Sequence, residues 1–596
     1  MILHVRGFDE RWRRWIRSVL QTGKTAMLLN GVPGRWIDCE CGLRQGDPIS
    51  PYLFIIVADV LQRLIQKAHV DGALTHPLDP ALPCPALQYA EDTLIFVKGT
   101  VPALVRLKQI LNDFALATGL TINFHNTFMP MNVDAPTAAA MATTLGCPQA
   151  DFPQTYLGLP LSPHKLRLAD YQPLINTFDR YLAGWKTRLL STGGRLTLVR
   201  AVLNNLPVYY MSSLALPKKL CEILESKRRV FLWTGEDTCN GAQCLIAWDQ
   251  ACKAKEAGGL GIKRIEDQNK CLLMKFTSRL HDPITLPWKT WLHDQYGAAL
   301  LSYPSDSYIG KLVSHCLNLF RQQTMVRLGD GNSTAFWLDT WIMGAPLSDT
   351  FPSLFSHSIA PHVTVREILQ TSLRGNLHAR LANAAAAEFQ ILTDCIAQVT
   401  VTGSADRRLM IHPVNAPFTS SGAYSILHSD DANEPDAMRI WNTKLPVKVK
   451  FFGWLLYYGR LNTRAHLHYR GIRALEDSMC EHCANELETD DHLFLCCPRA
   501  RAVWDRLLID TVGLTPRTPW LFGVSAPLPD QVHIDMILLT LWHIWKARNA
   551  LIFDRANQPP TVTIRRVAQD CEAWKHRYPT DKLHVERWRD FFLSKI

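Results

Sequence analysis

Four residues near the C-terminal end constrain this chain more than any other feature. Cys480 and Cys483 form a C-x2-C pair, and His492 and Cys497 complete C-x2-C-x8-H-x4-C. Soft and borderline donors in two close pairs suit a tetrahedral zinc ion, because one turn can present two ligands and a short helix the other two. The spacing favours zinc over buried cysteines packed around one core histidine. Cys496 is adjacent and offers an H-x3-C alternative to the H-x4-C pairing. Four protein ligands leave no open position, so such a zinc is structural.

The other cysteines, among them Cys147, Cys221, Cys316 and Cys571, are scattered singly through 596 residues that contain 16 in all. That usage suits a reducing compartment rather than a disulfide framework. The length exceeds what one core serves and predicts roughly three or four domains. A net charge of +10 favours polyanionic partners such as nucleic acid, and ordinary solubility needs no more than this. No secretory signal or apolar run of membrane-spanning length is visible, so the expected location is nuclear or cytoplasmic. Phe8, Trp12, Trp15, Ile16 and Val19 recur at helical spacing at the very start, as though the chain opened inside a domain.

Two segments carry the chemistry of the first part. Gly42–Pro51 reads GLRQGDPISP, a loop in which Ser50 offers an N-cap and Pro51 suits the first helical position. Phe54, Val57, Ala58, Leu61, Leu64 and Ile65 then form an apolar stripe. Gly46 allows close backbone approach, and the free N–H groups of the helix start favour phosphate. Arg44 and Gln45 stand where side chains could touch a nucleotide or template. About forty residues on, LQYAEDTLIFVKG (Leu87–Gly99) reads as a hairpin with Glu91 and Asp92 at its turn. Adjacent carboxylates there can hold magnesium, a hard cation that prefers oxygen ligands. An ordinary acidic turn reads the same in isolation; the order of glycine loop, helix and Tyr89-containing acidic hairpin is the specific signal.

That order resembles the palm of a reverse transcriptase. Leu28–Phe54 (LLNGVPGRWIDCECGLRQGDPISPYLF), Gly119–His125, Tyr156–Ser162 and Gly184–Ser212 are similar to plant non-LTR, LINE-type retrotransposon polymerases. Phe418–Leu427 and Lys444–Arg473, followed by CEHC and DDHLFLCCPRARAVW, resemble the zinc-binding domain of the same family. The resemblance implies zinc on Cys480, Cys483, His492 and Cys497, the last preferred to Cys496 because Pro498 follows it. It implies nucleotide or template contacts at Arg44, Gln45, Gly46 and Tyr89, and RNA and RNA–DNA duplex as partners. It also implies an ancestral magnesium site of three palm aspartates. Of these, the early-strand aspartate is absent, Asp9 lying instead in a helix-start segment. Glu91 replaces the first aspartate of the hairpin pair, and Asp92 matches the second. Asn126 and Thr127 stand where the family usually has a basic residue. One extra methylene displaces a carboxylate by about an ångström, and misplacements of that size cost on the order of 10²-fold in rate. The expectation is a catalytically impaired, nucleic-acid-binding polymerase fragment. The alternatives are an active polymerase with an atypical metal site and an interaction protein using only its zinc domain.

The expected fold is α+β: a partial palm over 1–130, a thumb-like basic helical segment over 131–235, a connector over 236–415, a zinc-binding domain over 416–510 and a helical tail over 511–596. From Lys165 to Val230 there are 12 Lys or Arg against 4 Asp or Glu, with Lys186, Arg188, Arg195 and Arg200 on predicted helices beside Trp185, Leu189 and Leu196. Position suggests a duplex grip. In the connector, Gly258–Phe276 predicts a turn into a helix, and Arg327–Trp341 a glycine turn between strands with Phe336, Trp337 and Trp341 in the core. Lys444–Arg473 holds seven Lys or Arg and no acid, interleaved with Phe451, Phe452, Trp454, Tyr457 and Tyr458. Those rings serve either a helical core or a nucleic-acid surface. Leu538–Ile552 reads as a helix carrying Leu539, Leu541, Trp542 and Trp545, and nothing there resembles the acidic signature of a ribonuclease H.

Overall fold

The computed structural model describes the chain except residues 1, 40–41, 79, 81, 121–122, 124–127, 184–188, 237, 240, 283–285, 287, 291, 293–307 and 485, and the side chains of 242, 308, 309 and 314. His125, Asn126 and Thr127, and the expected helical residues Trp185, Lys186 and Arg188, lie outside the described residues. The described part is mixed helix and sheet, dominated by helices, with five two-stranded antiparallel sheets. No described helix is long and apolar enough to cross a membrane. The chain divides into two compact units, Met1–Asp170 and Tyr171–Ile596.

In the first unit the stripe expected after the glycine loop forms the helix Ser50–Val70, which buries Leu61, Ile65 and Ala68. It packs with the helix Val101–Thr118, whose Leu107, Ile110 and Phe114 complete the core, and the hairpin rests on that core through Ala86 and Ile95. The helix begins one residue earlier than expected. Ser50 is inside it rather than its cap, and its hydroxyl donates to the Arg44 carbonyl at 2.9 Å. Asp47 is the residue whose carboxylate takes up a free donor there, the Ile49 N–H at 3.1 Å. The opening helix, Glu10–Gln21, is capped by Asp9, which accepts from the Arg11 N–H at 2.8 Å. Of its expected apolar face, Ile16 is buried whereas Trp15 and Val19 are exposed. Asn30 and Gly31, both at positive φ, turn the small hairpin between Leu28–Leu29 and Val32–Pro33, as an Asn-Gly pair favours.

In the second unit the helix Val447–Tyr457 carries Lys448 and Lys450 near its start and is otherwise largely apolar, and Phe451, Phe452 and Trp454 are buried. These rings are core, so base stacking is not open to them. Phe452 packs at 5.2 Å from Trp542 on the helix His533–Asp554, and a Cβ on Gly453 would lie 2.8 Å from Leu538. The connector glycines have a similar reason. Gly258 (φ +76°) accepts from the Trp454 indole at 2.8 Å and the Tyr458 hydroxyl at 3.1 Å, and a Cβ there would sit 2.2 Å from that hydroxyl. The expected turn then enters the helix Ile265–Leu280.

The Arg327–Trp341 segment departs in part from expectation. Phe336 and Trp337 are buried and Trp341 packs against them. The strand before the turn, Thr324–Arg327, pairs with the distant Arg407–Met410, and the residues beyond the turn form an isolated bridge, Ala335 to Thr364, rather than a strand. The turn folds around buried Asp406, which accepts from the N–H groups of Gly329 and Gly331 at 2.8 and 2.9 Å and from the Thr334 hydroxyl at 2.7 Å. Asp339, fully buried, pairs with Arg321 at 2.9 Å and Arg408 at 2.5 Å. Burial opposes its charge, but the two guanidiniums outweigh burial and hold the carboxyl well below the usual carboxylate range. Its contribution is therefore fully present above the unfolded pKa and fades only as pH falls through the folded one. Asp339→Asn should lower stability by about 3–5 kcal/mol at neutral pH, read from urea unfolding. The gap to the parent should begin to narrow only below about pH 4.

Candidate metal centre

Residues 479–497 form a loop and a short turn around the four expected donors. The C-x2-C segment is a tight knuckle: the Cys480 N–H donates to the Glu486 carbonyl at 2.8 Å, and the Ala484 N–H returns to the Cys480 carbonyl at 2.8 Å. Ala484 sits at positive φ, and a bridge from Met479 to Leu487 closes the base. His492–Cys496 is a π-helical turn closed by the Cys497 N–H donating to the His492 carbonyl at 2.6 Å. An α-helix superposes residues four apart, which would align Cys496 with His492; the wider π turn aligns residues five apart. Cys497 is accordingly buried with the group, and Cys496 is exposed.

Donor atoms of Cys480, Cys483 and His492 all lie within 4.8 Å of one another. Cys480 Sγ is 3.9 Å from Cys497 Sγ, and Cys483 Sγ is 3.4 Å from His492 Nε2. Tetrahedral zinc with ordinary bond lengths requires ~3.8 Å between two sulfurs and ~3.6 Å between sulfur and imidazole nitrogen. Both pairs lie near these separations, and Cys480, Cys483 and His492 suit the ion as a three-donor group with Cys497 adjoining Cys480. The Cys480 thiol, donating to Cys497, lowers the Cys497 pKa to about 7, while the same contact and burial raise that of Cys480. His492 Nδ1 faces Glu486 Oε2 at 2.7 Å, which leaves Nε2 directed at the sulfurs. Sequence reasoning missed Glu486; its only signal was an acid between the two ligand pairs.

The loop is fastened by Glu488, which is fully buried. Its carboxylate accepts from the Arg464 N–H at 2.9 Å and pairs with Arg548 at 2.5 Å, and its backbone bonds Ser478 and Ala465. Arg464 also donates to the Met479 carbonyl at 2.8 Å and pairs with Glu481.

The first unit's expected residues stand otherwise. The hairpin pairs Ala86–Tyr89 with Asp92–Ile95, and Tyr89 lies opposite Asp92. The turn is Ala90-Glu91, with Ala90 at φ +48°, so Asp92 begins the second strand instead of sharing the turn. Tyr89, Glu91 and Asp92 are exposed, as are Arg44, Gln45 and Gly46. Gly46 (φ +86°) has open space beyond it, so its backbone angle, not crowding, calls for glycine. Among the described residues no third Cys, His, Asp or Glu joins Glu91 and Asp92 in a three-donor group.

Comparison with known proteins divides along the same lines. Residues 2–161, within the first unit, match the reverse transcriptase (RNA-dependent DNA polymerase) family model. Residues 418–504, which contain the metal centre, match the model for zinc-binding in reverse transcriptase. An Arabidopsis thaliana protein named for ribonuclease H is 24% identical over 424 residues, covering 66% of this chain and 66% of that protein, just under two thirds of its length. An uncharacterised mitochondrial protein of the same plant is 33% identical over 152 residues, 23% of this chain and 93% of that protein. A second such mitochondrial protein is 47% identical over 47 residues, 8% of this chain and 38% of its own length. With the polymerase and zinc-binding matches in one chain, and plant relatives along it, this protein belongs to the retrotransposon-derived reverse transcriptases of plants.

Proposed function

We propose that this chain is a LINE-type reverse transcriptase that binds RNA and RNA–DNA duplex through a zinc-stabilised module but polymerises poorly or not at all. In this reading residues 1–130 are a partial palm, 131–235 a thumb, 236–415 a connector, 416–510 the zinc domain and 511–596 its helical extension. Arg44, Gln45, Gly46 and Tyr89 would meet nucleotide or template, and their shared exposure is compatible with that role. The observation that carries the reading is the contrast between the two metal-type sites. Cys480, Cys483 and His492 gather within 4.8 Å of one another with Cys497 beside Cys480, whereas Glu91 and Asp92 stand exposed on the hairpin with no third donor grouped with them among the described residues.

Zinc would cross-link the knuckle to the π turn and take part in no reaction. Glu486 would act through His492, fixing the tautomer that presents Nε2 to the ion. Because its side chain is exposed and its backbone makes the knuckle bond, Glu486→Ala should leave the fold intact. Zinc affinity, measured by competition with a chromogenic chelator, should fall about 10–100-fold, with Glu486→Asp recovering part of the loss. Cys483→Ser should abolish tight binding.

Primer extension on an RNA template with magnesium tests the polymerase half. The chain should extend poorly, and Glu91→Asp should improve extension by at most about 10²-fold, since one carboxylate repairs one ligand position. Extension by the unaltered chain at the rate of an intact family member would refute the impairment.

A further inference from the structure

Basic residues from four segments of the second unit converge where the helix Thr192–Leu198 and its continuing π turn, Val199–Leu203, meet the start of Val447–Tyr457. The two backbones touch closely: a Cβ on Gly193 would lie 2.5 Å from the Lys448 nitrogen. Arg200 leaves the π turn, and Lys255 the loop after the helix Trp248–Cys252. Arg200 Nη2 and Lys255 Cγ both lie within 4.0 Å of where a Cβ of Gly261 would stand. Lys255 Nζ sits 5.1 Å from the Trp441 ring, and Lys450 Nζ donates to the Trp441 carbonyl at 2.9 Å. Arg577 donates to the Lys444 carbonyl at 2.7 Å. Like charges held this near oppose one another. After burial, Arg200 lowers the pKa of Lys255; after burial, Lys255 and then Arg577 help push Lys450 down to about 8.

The neighbouring acids offset the group only in part: Asp535 favours the charge on Lys450 and Glu256 that on Lys255, but neither forms an ion pair with it among the described residues. Asp535 is occupied by the Lys444 N–H at 2.8 Å and the Tyr578 hydroxyl at 2.5 Å. Glu256 beside Lys255 is exposed. Lys253 and Lys444, close in sequence, pair with Asp431 and Asp581. Among the described residues Arg200, Lys255, Lys450 and Arg577 have no such ion pair. Cations that a fold brings together, partly desolvates and leaves without an ion pair are a site for negative charge from outside, and their spread over several segments suits a row of charges more than one ion.

We infer that Arg200, Lys255, Lys450 and Arg577 form a binding surface for successive phosphodiester groups of a nucleic-acid backbone. The inference rests on the nucleic-acid reading above and deepens it. It places one contact surface across the thumb-like helix and the zinc domain, where it reads no bases. The shared carbonyl and ring of Trp441 hold the lysines apart at a fixed distance, so the surface is largely built before a ligand arrives.

The test is fluorescence anisotropy of a labelled RNA–DNA heteroduplex of ~20 base pairs, titrated with the full chain at several potassium chloride concentrations. Lys255→Gln/Lys450→Gln should weaken binding by about tenfold or more at 0.1 M salt and flatten the log–log salt slope by about two. Arg200→Gln, on a separate element, should flatten it by about one, so the result does not depend on the double variant alone. Unchanged zinc content and circular dichroism would certify the folds. If the parent binds and the variants keep its affinity and slope, the surface is not where the backbone lies and the inference fails alone. If the parent binds no heteroduplex, or binds only polyglutamate, the nucleic-acid reading fails with it.

Discussion

The carboxylate of Glu488 is the joint from which the metal-type loop hangs. It is buried, and is tolerated because Arg548 and the Arg464 N–H meet it from two helices while its own backbone bonds Ser478 and Ala465. A buried carboxylate stripped of such partners costs several kcal/mol. Glu488 therefore fixes where the Cys480–Cys483 knuckle lies relative to the helix His533–Asp554, and the π turn in turn fixes His492 and Cys497. The aromatic packing of Phe452 and Phe494 with Trp542 and Trp545 closes the space behind it. The zinc module and the C-terminal helices thus share one core.

The same logic of buried charge organises the connector, where Asp339 and Asp406 take the place a larger sheet would otherwise fill. Asp406 gathers backbone N–H groups of the turn, and Asp339 the guanidiniums of Arg321 and Arg408. Three glycines of this unit answer to close approach: Gly329 and Gly193 each meet another backbone segment, and Gly258 the Tyr458 side chain, where a Cβ would collide.

How far the sequence foretold this depended on the range of each interaction. The helix Ser50–Val70 and the core placement of Phe336 and Trp337 were legible because local periodicity and neighbouring turn residues carry them. The candidate donors stood out by spacing, yet periodicity left Cys496 and Cys497 open, since the burial of one and exposure of the other follow a π turn that no 3.6-residue pattern reports. The aromatic run at 451–458 was equally ambiguous, because a largely buried helix and a stacking platform have the same composition. Asp406, Glu488 and the Arg200–Lys255–Lys450 convergence were invisible, each depending on residues tens to hundreds of positions apart. Glu91 and Asp92 were placed on a hairpin correctly, but their division between turn and strand follows from the Tyr89–Asp92 register.

The account stands or falls on the metal centre, because it supplies the contrast with the exposed carboxylate pair. The most direct measurement is the zinc content of the purified chain by atomic emission, after extensive dialysis against metal-free buffer. The account predicts one zinc per chain, retained through dialysis and released by titrating the thiols. A chain that is folded by circular dichroism yet holds no zinc would contradict it.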